Sequence, residues 1–269
     1  MVQHREDPPG ATSAHGRKAE RQAQIAERVL ERGQAAASDL AEHFGVSVMT
    51  IHRDLDALAE QGILRRFHGG ASAQRSSVFE PDVDYRLRLG ATAKRAIAIA
   101  ARDLVEPGMA LMLDDSTTGL ALAGLIADIP DLTIATNFVD AVGLLAGRGP
   151  HVIGLGGDLS VPHRSFLGHG CLDAVAAIRV NTLFSSTSAM TADAVYHQEQ
   201  EIVTVKQAMM ASAERRVLLM DHSKCGKSAL YRVSAATDWD VIVVDAETDP
   251  TFVADLRERG IDVVVATAS

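Results

Sequence analysis

An α/β chain of two unequal parts is predicted by three observations. Near the N-terminus, three short helical patterns are followed at once by a glycine-turned pair of extended segments. Beyond residue 90, apolar runs of strand length alternate with amphipathic helices. Between them lies a polar, turn-rich stretch with neither period. Three helices and a hairpin in about 55 residues make the winged helix-turn-helix plan. Alternating strands and helices make a Rossmann-like, mostly parallel sheet covered on both faces. The expected division is a disordered leader at 1–19, a winged helix-turn-helix at 20–75, a linker at 76–90 and an α/β domain at 91–269.

From Glu20 the first helix carries Ile25, Val29 and Leu30 on one stripe and ends at Gly33. Ser38 is placed to cap a second helix, Asp39–Phe44, with Asp39 favourable in its first turn. Gly45 makes the turn. Ser47 caps a third helix that runs to about Gln61 and stops at Gly62. Ile63–Gly70 then reads as a short hairpin.

On the third helix, at about 100° per residue, Ile51, Leu55 and Leu58 fall in one narrow arc and face the core. Met49 and Arg53 point the other way, with Thr50 and His52 on the flanks. Residues near the start of such a helix meet base edges in the major groove. Arg53 suits guanine, His52 and Thr50 can donate to base or phosphate, and Met49 can touch a thymine methyl. With Ser47 at the helix start and Arg65, Arg66 and His68 on the hairpin, these are the candidate DNA-binding residues. His68 can equally do no more than close the hairpin turn. Asp54 lies beside the core arc, where it would repel phosphate, so a structural ion pair is expected for it.

The formal charge of −9 argues against nucleic acid only if its distribution is ignored. Residues 1–76 hold ten Lys/Arg and ten Asp/Glu, leaving sixteen against twenty-five for the remainder. Gly62–Arg75 has three arginines and no acid. A neutral N-terminal part with a basic tip is compatible with DNA. No apolar run approaches the roughly 18 residues of a membrane span. The polar first twenty residues have no signal-peptide pattern, and Cys171 and Cys225 make no disulfide framework. A cytoplasmic protein without membrane contact, metal or cofactor is expected. His163, His169 and Cys171 lie close in sequence but have no evident fourth ligand.

In the larger part the strand-length runs are Met109–Leu113, Leu132–Ala135, His151–Leu155, Val180–Phe184, Arg216–Met220, Val241–Val244 and Asp262–Val265. Helical patterns cover Ala91–Val105, Gly119–Ala127, Phe138–Ala146 and Glu199–Ala213.

The run from Val46 to Leu58, VSVMTIHRDLDAL, followed by GILRRFHGGA at 62–71, resembles the DeoR family of bacterial regulators, whose signature reads VSxxTIRRDLxxLexxGxLxRxHGGA. His52 stands where that family has an arginine. The resemblance continues through Leu113-Asp114-Asp115-Ser116-Thr117-Thr118, similar to the family's DxGTT, then Thr136-Asn137, Gly156-Gly157, Ser165, Lys206 and Asp221-x-Ser223-Lys224. It implies a sensor domain similar to sugar-phosphate isomerases, with Asp114, Ser116, Thr117, Thr118, Asn137, Gly156, Gly157, Ser165, Lys206, Asp221 and Lys224 as effector-binding residues. Hydroxyls and free N–H groups at strand-to-helix turns suit an anion, and a lysine adds a point charge. The same residues have plainer uses. Ser116 and Thr117 can be helix caps, Asn137 can cap the next helix, Lys206 can be an ordinary helix lysine, and Asp221 and Lys224 a surface pair.

The expected function is a DNA-binding repressor of a carbohydrate catabolic operon, with a double-stranded operator as partner and a phosphosugar-type effector. The alternative is a sugar-phosphate isomerase fused to a DNA-binding domain. One winged helix reads too few base pairs for useful specificity, so a homo-oligomer, dimer or tetramer, is expected.

Overall fold

The computed structural model describes residues 14–60, 63–73, 81 and 83–267. Gly62, Arg75 and the leader as far as residue 13 lie outside the described residues, as do residues 76–80 and 82 of the expected linker, and the Leu30 side chain is likewise not described. The chain divides into two compact units, Met1–Arg75 and Ser76–Ser269.

The first unit contains α1 (Ala14–Arg32), β1 (Gln34–Ala36), α2 (Ala37–Phe44), α3 (Val48–Glu60), β2 (Leu64–Phe67) and β3 (Gly70–Ala73). Helix α1 begins inside the stretch expected as leader. Ile25 and Val29 of α1 and Ile51, Leu55 and Leu58 of α3 are buried together with Leu40 of α2. Each such side chain contributes about 1.5–3 kcal/mol on burial, so the apolar arc fixes which face α3 turns outward. Gly45 makes the turn between α2 and α3 in the left-handed region, at φ 63°.

Ser38 is not the α2 cap. The helix begins one residue before it, and the Ser38 hydroxyl donates to Asp39 Oδ1 at 3.0 Å. The Ala37 N–H donates instead to the Gly69 carbonyl at 2.8 Å, so backbone from the hairpin turn satisfies the helix start. This is possible because β1 pairs antiparallel with β3, giving a three-stranded wing in the order β1-β3-β2. Strand β1, only Gln-Ala-Ala, carries no alternation from which it could be predicted.

The second unit contains α4 (Val83–Arg88), α5 (Ala91–Arg102), β4 (Ala110–Leu113), α6 (Thr117–Ile126), β5 (Thr133–Thr136), α7 (Val139–Leu145), β6 (His151–Gly154), β7 (Asp158–Ser160), β8 (Ser165–Leu167), α8 (Gly168–Ala176), β9 (Val180–Ser185), β10 (Ala189–Met190), β11 (Ala194–His197), α9 (Gln200–Ala211), β12 (Ala213–Met220), β13 (Tyr231–Ala235), β14 (Val241–Asp245), α10 (Pro250–Glu258) and β15 (Asp262–Ala266). Helix α4 lies in the expected linker, where Val83 packs with Phe138 and Ala141.

The seven predicted strand runs are the strands of one parallel sheet, in the order β15-β14-β12-β9-β4-β5-β6. Successive side chains alternate between its faces. Leu111, Leu113, Val217 and Leu219 join Ile97 and Leu122 in one core, while Met112, Leu183, Leu218 and Met220 join Ile202, Val205 and Met209 in the other. Both faces are covered, as continuous apolar strands require. The chain runs from β4 outward through β5 and β6, then returns to β9 on the other side of β4. The order therefore reverses between β4 and β9, and the crevice beyond the carboxyl ends of these two strands is the ligand position this topology favours.

Candidate functional site

In the first unit, Ser47 Oγ accepts the Thr50 N–H at 3.1 Å and meets Thr50 Oγ1 at 2.9 Å, which starts α3. Met49 is 61% exposed and Arg53 is exposed beside it, opposite the buried arc. Arg65 and His68 are also exposed. Arg66, also a candidate DNA-binding residue, lies across α3. Its Nη2 is 2.9 Å from His52 Nδ1 and its Nε 3.1 Å from Asp56 Oδ1. Four residues of helix separate His52 and Asp56, so one guanidinium can reach both. Asp54 is 1% exposed and takes Arg21 Nε at 2.7 Å and Gln22 Nε2 at 3.0 Å, the structural ion pair expected of it.

In the second unit, the crevice between β4 and β9 is built around Asp114. Its Oδ1 accepts the Ser116 N–H at 3.1 Å. Its Oδ2 accepts the Ser185 hydroxyl, the Ser186 N–H at 3.1 Å and the Lys206 ammonium at 2.5 Å. Lys206, on α9, also donates to Asp115 Oδ1 at 3.2 Å, and all three charged groups are buried. Such a cluster is tolerable only when paired. Lys206 thus pairs with both carboxylates of the turn.

After β12, Asp221 Oδ1 accepts the Ser223 N–H at 3.1 Å and the Ser223 hydroxyl. Lys224 Nζ lies 3.6 Å from Asp221 Oδ2 and 3.3 Å from Ser186 Oγ, which brings the β12 turn to the end of β9. From the helical side, Lys94 of α5 is buried and donates to the Arg86 carbonyl of α4, which Thr117 Oγ1 also reaches at 3.4 Å. Burial, then Lys224 and Arg86, push the Lys94 ammonium down to about 7 against the pull of Asp221. Burial alone would raise the Asp221 carboxyl. Lys224, the Ser223 bond, Lys94 and His222 together hold it below the usual carboxylate range.

Beside this cluster, His222 donates its N–H to Asp245 Oδ1 at 2.6 Å, and its Nδ1 lies 2.6 Å from Asp245 Oδ2. Partial burial lowers the imidazole value, but Asp245, Glu247 and Asp221 outweigh it and the net shift is upward from 6.5. A raised histidine stabilises the fold fully below its unfolded value, and that stabilisation fades as pH rises through the folded one. Asp245→Asn is therefore expected to destabilise more at pH about 6 than at pH about 8. Urea midpoints of the two proteins across that range test this, and a constant gap would show that the pair does not titrate.

Residues 21–77 match the family described as DeoR-like helix-turn-helix domain, and residues 90–246 match the DeoR C terminal sensor domain. The chain belongs to the DeoR family. Among its relatives, the HTH-type transcriptional regulator YgbI of Escherichia coli K12 is 32% identical over 84% of this chain and 89% of its own length. The putative aga operon transcriptional repressor of Escherichia coli O157:H7 is 31% identical over 94% and 98%. The glycerol-3-phosphate regulon repressor of Escherichia coli K12 is 31% identical over 82% and 88%. About half the chain also has a distant likeness to ribose 5-phosphate isomerase A from Methanocaldococcus jannaschii, with 16% identity, TM-score 0.36 and coverage of 49% and 53%. The protein is a DNA-binding transcriptional regulator, and the enzyme alternative is set aside by its family. Among the described residues, no helix is long and apolar enough to cross a membrane, and no group of three or more His, Cys, Asp or Glu could hold a metal. His163 is instead 2.9 Å from Glu199.

Several residues of the DeoR signature serve the fold in ways not visible from spacing. Ser116 Oγ caps α6 by accepting the Gly119 N–H at 3.0 Å. Asn137 caps no helix; its Nδ2 donates to the Phe166 carbonyl at 3.0 Å and ties β5 to the β7–β8 hairpin. Gly157, at φ 138°, is needed because a Cβ there would meet the Leu167 carbonyl at 2.4 Å, whereas Gly156 faces open space. Thr118 Oγ1, Asn137 Oδ1 and Ser165 Oγ are buried without a hydrogen-bond partner among the described residues. Such atoms cost about 1–3 kcal/mol each unless a ligand or water satisfies them. Sequence reasoning missed Lys94, Arg86, Ser185, Ser186 and the His222–Asp245 pair. A signal was present for His222, inside the Asp221–Lys224 run, and for Ser185, Ser186 and Asp245, which stand at the ends of predicted strand runs.

Proposed function

We propose that this DeoR-family regulator is a repressor of a carbohydrate operon whose grip on DNA is released by a small phosphorylated sugar or related anion. In this reading residues 20–75 bind DNA and residues 91–269 sense the effector. One observation carries the effector half. Lys224, Ser186 and Asp221 converge beyond the strand ends where the sheet order reverses, while Lys206 pairs with the Asp114 and Asp115 carboxylates behind them. A lysine and hydroxyls at such a crevice recognise a phosphate. The relatives named for the aga operon and the glycerol-3-phosphate regulon favour a sugar-derived ligand.

For DNA, Met49, Thr50 and Arg53 are the base-reading residues, with Ser47 and His52 beside them. Arg65 and His68 approach phosphate, and Arg66 orients His52. The working form is a homo-oligomer with at least two reading heads, in keeping with what specificity requires.

The test is operator binding, on duplexes selected from a random pool, with and without a panel of phosphosugars. Release by one of them supports the reading; tight binding unmoved by any phosphosugar overturns its effector half. In the same assay Arg53→Ala is expected to lose about 1–3 kcal/mol of discrimination per bidentate base contact while keeping its fold. Unchanged affinity and footprint would place the reading face elsewhere.

A further inference from the structure

His52, half-buried on α3, stands where the DeoR signature has an arginine, and its neighbour in the wing fixes what it can offer to DNA. Arg66 of β2 puts its Nη2 2.9 Å from His52 Nδ1 and its Nε 3.1 Å from Asp56 Oδ1. The third nitrogen, Nη1, is buried, so the fork turns inward across α3 and not out towards a phosphate. A guanidinium has donors only and does not lose its proton in a protein. Nδ1 is therefore the acceptor in this pair, and the imidazole carries its proton on Nε2. Nε2 in turn meets no partner among the described residues.

We propose that Arg66 is a specificity-determining positioning residue, which locks His52 as a lone Nε2–H donor that rejects cytosine at one operator position. The inference rests on the reading of α3 as the base-reading helix and adds which base that helix refuses. In the major groove guanine presents N7 and O6, adenine N7 and thymine O4 as acceptors, whereas cytosine presents only its N4 donor. A single N–H can therefore meet any base but cytosine on the strand it faces, where two donors would oppose each other. A wrong base pair costs about 5- to 150-fold in affinity. Without Arg66 the proton can sit on Nδ1 instead, and the bare Nε2 then accepts from cytosine N4. The lock, and not the imidazole alone, makes the exclusion.

An operator is first selected from a random pool with the full-length wild type, and each base is then placed at each position in turn. The expected result is a position in each half-site where cytosine alone is penalised, and where His52→Ala erases the penalty. Arg66→Met should admit cytosine there, while the other three bases and the other positions bind as before. Arg66→Lys keeps a donor for Nδ1 and should preserve the exclusion. With His52→Ala already in place, adding Arg66→Met should change nothing at that position, because Arg66 acts through His52.

Suppose instead that Arg66→Met weakens all duplexes alike and flattens the salt dependence, with the cytosine penalty intact. Arg66 would then hold phosphate, and the inference is overturned. Base preferences untouched by His52→Ala but lost in Arg53→Ala overturn it too, and leave α3 standing as the reading helix. Preferences untouched by either variant overturn the reading of α3 itself. If Arg66→Met fails to fold, nitrogen NMR on the wild type with labelled histidine decides. A bare Nδ1 and a protonated Nε2 in His52 support the inference, and a proton on Nδ1 overturns it.

Discussion

Asp114→Ala is expected to destabilise the sensor domain by about 3 kcal/mol, the lower end of the range for breaking a buried ion pair. The carboxylate accepts two backbone N–H groups, one hydroxyl and the Lys206 ammonium, and is 1% exposed. Removing it takes from Lys206, which is 4% exposed, its shorter carboxylate contact and leaves it that of Asp115. That remaining partner at 3.2 Å is why the cost stays at the low end. Asp114→Asn should cost less, because an amide oxygen can still accept from Ser116. The chain has a single tryptophan, Trp239, buried in this domain, so urea unfolding followed by its fluorescence reports on the domain in question. A midpoint unchanged in Asp114→Ala would show that the carboxylate is not the frame of the crevice and is available to a ligand.

The second large effect is a loss of regulation. Lys224→Ala should bind operator as the wild type does and fail to release it with the phosphosugar that releases the wild type. Coupling between two sites is typically about 1–3 kcal/mol, or roughly 5- to 150-fold in DNA affinity, and that factor should collapse towards one. The reason is differential binding: a ligand that loses its preference for one state cannot shift the balance between states. The ammonium is a quarter exposed and its nearest carboxylate is 3.6 Å away, so its loss should disturb the fold little. Operator affinity measured with and without effector checks this. A variant released at the wild-type effector concentration would remove Lys224 from the ligand site.

The parts of the structure legible in the sequence are those with a strong physical period. The parallel strands read as apolar runs because both their faces are buried, and the α3 core arc reads at helical spacing. Asp114, Asn137 and Asp221 were placed correctly at strand ends because a polar residue directly after an apolar run has nowhere else to stand. The short strands β1, β7, β8, β10 and β11 have two to four residues each and no alternation that distinguishes them from loop. The electrostatics of the crevice were illegible for another reason. Lys206 meets Asp114 across 92 residues, and a helix lysine looks the same in sequence whether it is solvated or buried. Lys94 lies in a helix and Arg86 in the expected linker, and only the fold brings the two together. Asp54 is the instructive contrast, because a carboxylate beside a core arc must have a partner and the class of that partner follows.

The reversal of strand order between β4 and β9 also sets a timetable for synthesis. The reading head is translated first and folds from local contacts within its own unit. Asp114 emerges soon after, but its Ser185 partner follows 71 residues later and Lys206 later still. Lys224 comes after both. A nascent or truncated chain can therefore carry a finished helix-turn-helix unit before the partners of Asp114 exist. Translation time through the distal half of the sheet therefore bounds how soon a new chain closes the crevice around Asp114.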